Sequence, residues 1–226
     1  MSKAHGVKKM FDSIAARYDI MNRVMTLGQD QRWRRFAVDK ANIPESGTVL
    51  DLACGTGDIA ALVSQEYPSS YVVGADFSTN MLREAGRRFG QQISWLVCDA
   101  NELPYKDDRF DAVTFGYLLR NVDDSLKVLR EVYRVLKTGG MVVCLDTTPP
   151  EKNILYPFIR LHLHYGIPLL GKMIARDEDA YGYLIESTMD FHQAETLADI
   201  FKAAGFRGVG YKKFMMGTIG IHWGMK

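Results

Sequence analysis

The chain has 226 residues, of which 47% are hydrophobic and 24% are charged, a composition typical of one globular domain with a substantial core. Its formal net charge of +1 gives no electrostatic reason to expect a nucleic-acid partner. The first residues contain no apolar run, so we expect no secretory signal. The three cysteines, Cys54, Cys98 and Cys144, are widely spaced and odd in number. They indicate buried thiols in a reducing cytoplasm rather than a disulfide framework or a metal site.

The N-terminal part of the chain, residues 7–41, has a helical pattern that is interrupted near residues 26–28. Basic side chains cluster in this part and again further on: Arg32, Arg34 and Arg35, then Arg87 and Arg88. We interpret both clusters as solvated helix faces, with membrane phosphates as the alternative partner.

Strands and helices then alternate. Five short apolar runs are predicted as strands: 48–52, 71–76, 93–97, 110–115 and 141–145. The segments between them predict three helices: 57–67, one capped by Ser78 or Thr79, and 122–136 closed by the glycines of 137–140. This alternation predicts a parallel, doubly wound sheet.

The alternation stops at Pro149 and Pro150, and no strand is predicted before residue 191. Regular structure resumes with a helix over 194–204 and two strands, 206–214 and 218–223, which predict an antiparallel hairpin at the edge of the sheet. The apolar stretch 154–175 carries charged residues and prolines, so it predicts an amphipathic cover or an ordinary packed insertion rather than a membrane span.

A glycine turn follows the first strand. Gly55 and Gly57 allow a close approach of a ligand to the backbone, and the helix that begins there offers free amides to a carboxylate. With Ala60, the spacing also fits a dinucleotide fingerprint, in which Asp76 would accept a ribose hydroxyl.

Two other carboxylates favour S-adenosylmethionine over a dinucleotide. Asp51 ends the first strand, where an anion would repel a pyrophosphate but attract an ammonium or sulfonium group. Asp99 follows the third strand and suits an adenine amino group. Structural roles remain open for all three carboxylates. Asp51 could accept hydrogen bonds from loop amides, and Asp76 could cap a helix. At Asp99, the neighbouring Asn101 could cap the following turn instead.

These residues resemble class I S-adenosylmethionine-dependent methyltransferases, and more narrowly the ubiquinone/menaquinone C-methyltransferases, over nearly the whole chain. The segments that carry the narrower resemblance are Phe11-Asp12-x-x-Ala15-x-x-Tyr18-Asp19-x-x-Asn22, Leu119-Arg120-Asn121-Val122, Arg134-Val135-Leu136-Lys137-x-Gly139-Gly140 and Tyr181-x-Tyr183-Leu184-x-Glu186-Ser187. Leu118 departs from the family pattern, which has glycine there, and this affects the expected shape of the ring pocket.

The glycine turn and the resemblance together predict the residues that contact the cofactor: Tyr18, Asp51, Gly55, Thr56, Gly57, Asp76, Phe77, Asp99, Ala100 and Gly116. The candidate catalytic residues are Arg120 and Asn121, which follow the fourth strand, and Asp146, a candidate base after the fifth. A loop-fixing ion pair and a helix cap remain alternatives for the first two.

Further candidates are weaker. Tyr181 and Tyr183 are expected to line the acceptor pocket, and His192 and His222 are secondary candidates for a base. Tyr18 and Asp19 are expected to close over the cofactor, with core packing as the alternative for the tyrosine.

The sequence therefore predicts a single domain, 1–226, with a class I methyltransferase Rossmann-like sheet that is doubly wound and mostly parallel. An N-terminal helical lid, 1–42, and a helical insertion over the acceptor site, 150–191, complete it. The resemblance implies S-adenosylmethionine-dependent C-methylation of the reduced ring of demethylmenaquinone, with no metal.

Several alternatives stay open: a ubiquinone or phylloquinone precursor as substrate, an NAD-dependent oxidoreductase, and a non-catalytic S-adenosylmethionine-binding protein. The expected partner is a prenylated naphthoquinol, with no nucleic acid. Cytoplasmic location, peripheral contact with the inner face of the membrane and a homodimer are further hypotheses.

Overall fold

The computed structural model describes residues 3–15, 18–151 and 178–226, together with residues 156, 157 and 166. Most of the predicted insertion, including the stretch 154–175 apart from those three residues, therefore lies outside the described residues. The division into lid, sheet domain and insertion stays a prediction.

The described chain forms a seven-stranded sheet in the order β3-β2-β1-β4-β5-β7-β6. The strands are β1 Thr48–Leu52, β2 Tyr71–Asp76, β3 Ser94–Val97, β4 Phe110–Gly116, β5 Leu136–Thr147, β6 Arg207–Phe214 and β7 Ile219–Met225. The first five are parallel, whereas β7 runs antiparallel between β5 and β6. The predicted parallel sheet with a terminal antiparallel hairpin is confirmed.

Eight helices of the described chain surround this sheet: α1 Lys3–Ile14, α2 Tyr18–Met25, α3 Asp30–Lys40, α4 Asp58–Glu66, α5 Thr79–Phe89, α6 Ser125–Val135, α7 Glu178–Met189 and α8 Ala194–Ala203. Short 3₁₀ turns cover Gly90–Gln92, Leu119–Asn121 and Met215–Gly217.

Two buried clusters form the core, one on each face of the sheet. One contains apolar side chains of α6 and α8, and the other contains those of α3 and α4. The central strands are buried on both faces, as expected for parallel strands covered by helices. A third cluster joins α1 and α2 to Met81 of α5 and Ile185 of α7, so the N-terminal helices pack above the carboxyl ends of the strands.

Two expectations about helix ends are wrong. In the N-terminal part, α1 already ends at Ile14 and is followed by a 3₁₀ conformation at Ala15, before the single predicted break near residues 26–28. Residues 137–140 do not close α6 but belong to β5. Leu136 already pairs with Phe110 of β4, and the register then shifts before Met141 pairs with Ala112, with Gly139 left-handed at φ of 81°.

Candidate active site

The turn after β1 is fixed by a carboxylate from the end of β2. One oxygen of Asp76 accepts a hydrogen bond from the Gly55 amide at 2.8 Å, and the other accepts one from the Ser78 amide at 2.7 Å. Burial raises the pKa of Asp76, and the backbone donors oppose that rise. The cap of α5 is Ser78, whose hydroxyl accepts from the Met81 amide, so the predicted cap is confirmed.

A cavity opens beside this turn, between the N-terminal helices and the carboxyl ends of β1 to β4. The predicted site residues that line it are Tyr18, Gly55, Asp76, Phe77, Ala100, Gly116 and Asn121. Tyr117 and Leu118 also line it, as do Phe11 and Lys8 of α1. Of the candidate catalytic residues, Asn121 lines this cavity, whereas Arg120 and Asp146 do not.

A smaller cavity adjoins the first on the side of α3 and α4. Asp51, Thr56 and Gly116 line it, together with Arg34 and Asp58. Asp51 accepts hydrogen bonds from the Ala60 amide at 3.0 Å and the Thr114 hydroxyl at 2.9 Å. It is thus an acceptor for a loop amide, and it also borders the cavity. Burial raises its pKa to about 7.

Arg34 is a site residue that sequence reasoning missed. It is buried, with 7% of its surface exposed, so the expectation of a solvated face is wrong for this member of the cluster. Its guanidinium pairs with Asp30 one turn earlier and lies 3.4 Å from Asp58. The spacing of four residues to Asp30 is the signal that the sequence contained.

Arg88 of α5 connects α2 to the start of α4. Its guanidinium donates to Asp19 of α2 at 2.7 Å, to Asp58 at 2.8 Å and to the Thr56 carbonyl at 3.0 Å. The Thr56 hydroxyl donates to the other oxygen of Asp19 at 2.7 Å. The closure of Asp19 over a cofactor stays a prediction, and Arg88 is exposed as expected while it makes these contacts.

Two predicted cofactor residues do not line either of these cavities. Asp99 is exposed, and one of its oxygens accepts both the backbone and side-chain N–H groups of Asn101. Gly57 precedes α4 with φ of 87°, and a Cβ there would lie 2.7 Å from the Trp95 ring. Its requirement for glycine is thus conformational and steric.

The chain after β4 forms the wall opposite the glycine turn. Tyr117 has a left-handed backbone with φ of 59°. Its carbonyl accepts a hydrogen bond from the side-chain Nδ2 of Asn121 at 2.6 Å. The Tyr183 hydroxyl donates to the side-chain oxygen of Asn121 at 3.0 Å. Asn121 is therefore oriented from two sides, while Leu118 fills space that a glycine would leave open.

Arg120 and Asp146 form a buried pair behind this wall. The Arg120 Nε lies 3.6 Å from the Asp146 carboxylate, whose other oxygen accepts the Arg120 amide at 3.4 Å. Burial raises the pKa of Asp146 to about 6, although Arg120 opposes the rise. Burial raises the pKa of Tyr18, which lines the first cavity, and the hydrogen bond with Asn22 and the charge of Arg120 oppose that rise.

The two secondary candidates differ in position, because His192 lines a further cavity with Arg120 and Tyr183 whereas His222 does not. His222 is fully buried in β7, where its Nε2 donates to the Ala194 carbonyl at 2.9 Å, so it belongs to the core. His192 is partly exposed beside Phe191. The side chain of Tyr181 lies outside the described residues.

The first cavity fits an adenosyl donor. A Cβ on Gly55 would point at the Tyr18 ring 4.0 Å away, into the space that a ligand needs. Asp76 offers acceptors suited to a ribose diol, and Phe77 and Ala100 offer apolar surface suited to a base. Of the residues that the structure describes, no group of three or more His, Cys, Asp or Glu side chains is arranged to bind a metal.

The comparisons with known proteins agree with this geometry. The model of the ubiE/COQ5 methyltransferase family matches residues 1–226. The chain belongs to the ubiE/COQ5 methyltransferase family. It is 68% identical to "Ubiquinone/menaquinone biosynthesis C-methyltransferase UbiE" of Desulfotalea psychrophila, over 100% of this chain and 92% of that protein. It is 42% identical to "Demethylmenaquinone methyltransferase" of Thermus thermophilus, over 95% of this chain and 99% of that protein.

A solved SAM-dependent methyltransferase from Thermotoga maritima superposes with a TM-score of 0.65 at 19% identity, over 96% of this chain and 99% of that chain. The likeness shows the shared fold. The expected class of enzyme, the methyl donor and the class I fold are therefore confirmed for this ubiE/COQ5 family member. Within the described parts of the chain, every helix is too short or too polar to cross a bilayer.

Proposed function

We propose that this ubiE/COQ5 methyltransferase transfers a methyl group from S-adenosylmethionine to a ring carbon of reduced demethylmenaquinone, giving menaquinone. The observation that carries the proposal is one cavity bordered by Asp76 and Gly55 at one end and by Asn121 and Leu118 at the other. Such a cavity would place a donor bound at Asp76 next to a ring bound at Asn121. The names of the curated relatives supply the substrate class.

On the donor side, S-adenosylmethionine supplies an electrophilic methyl group on a good leaving group. The protein's part is to bind and orient it. Asp76 would accept the ribose hydroxyls, and the Gly116 backbone would contact the methionine end. Asp51 and Asp58 favour the positive charge of the donor, since both border the smaller cavity. The lid excludes water through the contacts of Asp19 with Thr56 and Arg88.

On the acceptor side, the ring must be a quinol, because loss of a hydroxyl proton increases electron density at the adjacent ring carbon. The guanidinium of Arg120 would stabilise the quinolate through its field, which is strong because the group is buried. Asn121, fixed by Tyr117 and Tyr183, would orient the ring. The carboxylate of Asp146 lies beside the Nε of Arg120 and would keep the guanidinium in place.

The test is an anaerobic methyl-transfer assay with dithionite-reduced demethylmenaquinone, following S-adenosylhomocysteine and methylated product by mass spectrometry. Turnover of the reduced ring and none of the oxidised ring is expected. Equal turnover of both would contradict the quinolate mechanism. Asp76→Asn should weaken S-adenosylhomocysteine binding in calorimetry, whereas Arg120→Lys should lose turnover while binding it normally. NAD should give no binding heat.

A ubiquinone precursor is a second candidate, because the name of the 68% identical relative covers both quinones. Parallel assays on benzoquinol and naphthoquinol acceptors with matched tails separate the two substrates. Preference for the benzoquinol would overturn the menaquinone assignment but leave the chemistry intact. Peripheral membrane contact and a homodimer stay predictions, checked by vesicle flotation and by light scattering.

A further inference from the structure

Two threonine hydroxyls meet at the Arg120 guanidinium. The Nη1 of Arg120 lies 3.1 Å from the hydroxyl of Thr147 at the end of β5 and 3.3 Å from that of Thr188 in α7. The two hydroxyl oxygens are 2.9 Å apart. Thr188 is 5% exposed and Arg120 is 6% exposed, so these hydrogen bonds form almost without competition from water.

The direction of each hydrogen bond follows from the number of protons. The Thr188 hydroxyl has one proton, and the Leu184 carbonyl 2.8 Å away can only accept it. The Thr147 hydroxyl must then donate to Thr188, which leaves both oxygens as acceptors toward Arg120. Both N–H groups on Nη1 thus find an acceptor, and no hydroxyl proton faces the cation.

Asp146 lies against the Nε side of the same guanidinium. A planar group with acceptors near Nε and at Nη1 cannot rotate freely about its stem. The α7 helix also contacts the neighbouring residue, since Tyr183 donates to Asn121. One helix therefore orients both residues that the proposed function places beside the acceptor.

We propose that Thr188 is a positioning residue, which fixes Arg120 through the pair of threonine hydroxyls and so couples the seating of α7 to methyl transfer. The inference rests on the proposed role of Arg120. Loss of the Thr188 hydroxyl leaves the cation in place but frees its plane, so the field at the acceptor oxygen weakens. We therefore expect kcat to fall more than the affinity for the acceptor or the cofactor.

The experiment compares Thr188→Val, Thr188→Ser and the matched control Ser187→Ala in the full chain. The Ser187 hydroxyl donates to the same Leu184 carbonyl, at 3.2 Å, from the same helix. Thr188→Val should lower kcat about tenfold, which corresponds to about 1.4 kcal/mol of barrier, with the acceptor KM and the Kd for S-adenosylhomocysteine within twofold. Thr188→Ser should restore kcat to within about twofold, and Ser187→Ala should match the wild type.

Thr147→Val tests the same chain of hydroxyls from the sheet side, and it should reproduce the kcat loss if Thr188→Val fails to fold. Normal kcat in both valine variants would overturn the inference. An equal loss of kcat and thermal midpoint in Thr188→Val, Thr188→Ser and Ser187→Ala would also overturn it, because helix stability alone would then explain the data.

Arg120→Lys, assayed in parallel, separates this inference from the proposed function. If Arg120→Lys keeps full turnover, the role of Arg120 fails and the positioning role fails with it. If Arg120→Lys loses turnover and Thr188→Val does not, only the positioning role is wrong.

Discussion

Replacing His222 by phenylalanine should lower the stability of the protein at neutral pH and raise it in mild acid. His222 lies in β7, stacked on Tyr211 with ring centroids 5.4 Å apart, and its Nε2 donates to the Ala194 carbonyl. Phenylalanine keeps the ring but removes this donor. The Ala194 carbonyl keeps its hydrogen bond within α8, so loss of the imidazole donor removes one hydrogen bond of about 1 to 1.5 kcal/mol, which sets the expected loss at pH 7.5.

The acid side follows from the protonation of the imidazole. Burial lowers the pKa of His222 from 6.5 to about 4. The unfolded chain therefore binds a proton as the pH falls below 6.5, whereas the folded protein does not until about pH 4, so stability is lost across that window. The loss amounts to about 1.4 kcal/mol at pH 5.5 and about 2.5 kcal/mol at pH 4.5.

The two effects should cross near pH 5.5, below which His222→Phe becomes the more stable protein. Urea unfolding at pH 7.5, 5.5 and 4.5 measures both proteins, and the difference between them removes the contributions of other titrating groups. Ile221→Val, a neighbouring buried change, should cost about 1 kcal/mol at each pH. A difference between wild type and His222→Phe that is constant with pH would refute the reasoning.

Other predictions concern the lid, the turn and the cofactor charge. Arg88→Gln removes the ion pair with α2, worth about 1 kcal/mol, and should speed release of S-adenosylhomocysteine about fivefold in a displacement assay; 1 M salt should erase the difference. Gly57→Ala places a Cβ 2.7 Å from Trp95 at φ of 87° and should cost about 2 to 4 kcal/mol by urea unfolding. Gly139→Ala, at a similar φ of 81° but with open space for a Cβ, should cost only about 1 to 2 kcal/mol, so equal losses in the two variants would contradict the predicted clash with Trp95. Because the pKa of Asp51 is about 7, S-adenosylmethionine should bind up to about tenfold more tightly at pH 8 than at pH 6 relative to Asp51→Asn; identical pH profiles in calorimetry would contradict this.

Local patterning was sufficient for most of the sheet. The predicted bounds of β1 and β2 match the structure at both ends, and the helix cap at Ser78 is where the sequence indicated. These features depend on residues that are close together in the sequence, such as the members of an apolar run and the polar residues that bound it. The resemblance added the family and the class of reaction, which periodicity cannot supply.

Local patterning failed where a neighbour in space outweighed the neighbours in sequence. Residues 137–140 have the composition of a helix cap, but α6 ends at Val135 because Leu136 pairs with Phe110 of the neighbouring strand. Arg34 has the sequence context of a solvated cluster, but the acidic groups beside it make burial favourable.

The same distinction separates the two halves of the candidate site. The glycine turn and its carboxylates arise from strand ends that parallel pairing must bring to one edge, so the sequence alone placed Gly55 beside Asp76. The contact of Thr188 with Arg120, 68 residues apart, depends on how α7 returns across the sheet. Hydrogen bonds between such distant side chains act over about 3 Å, a separation that only the folded path of the chain creates.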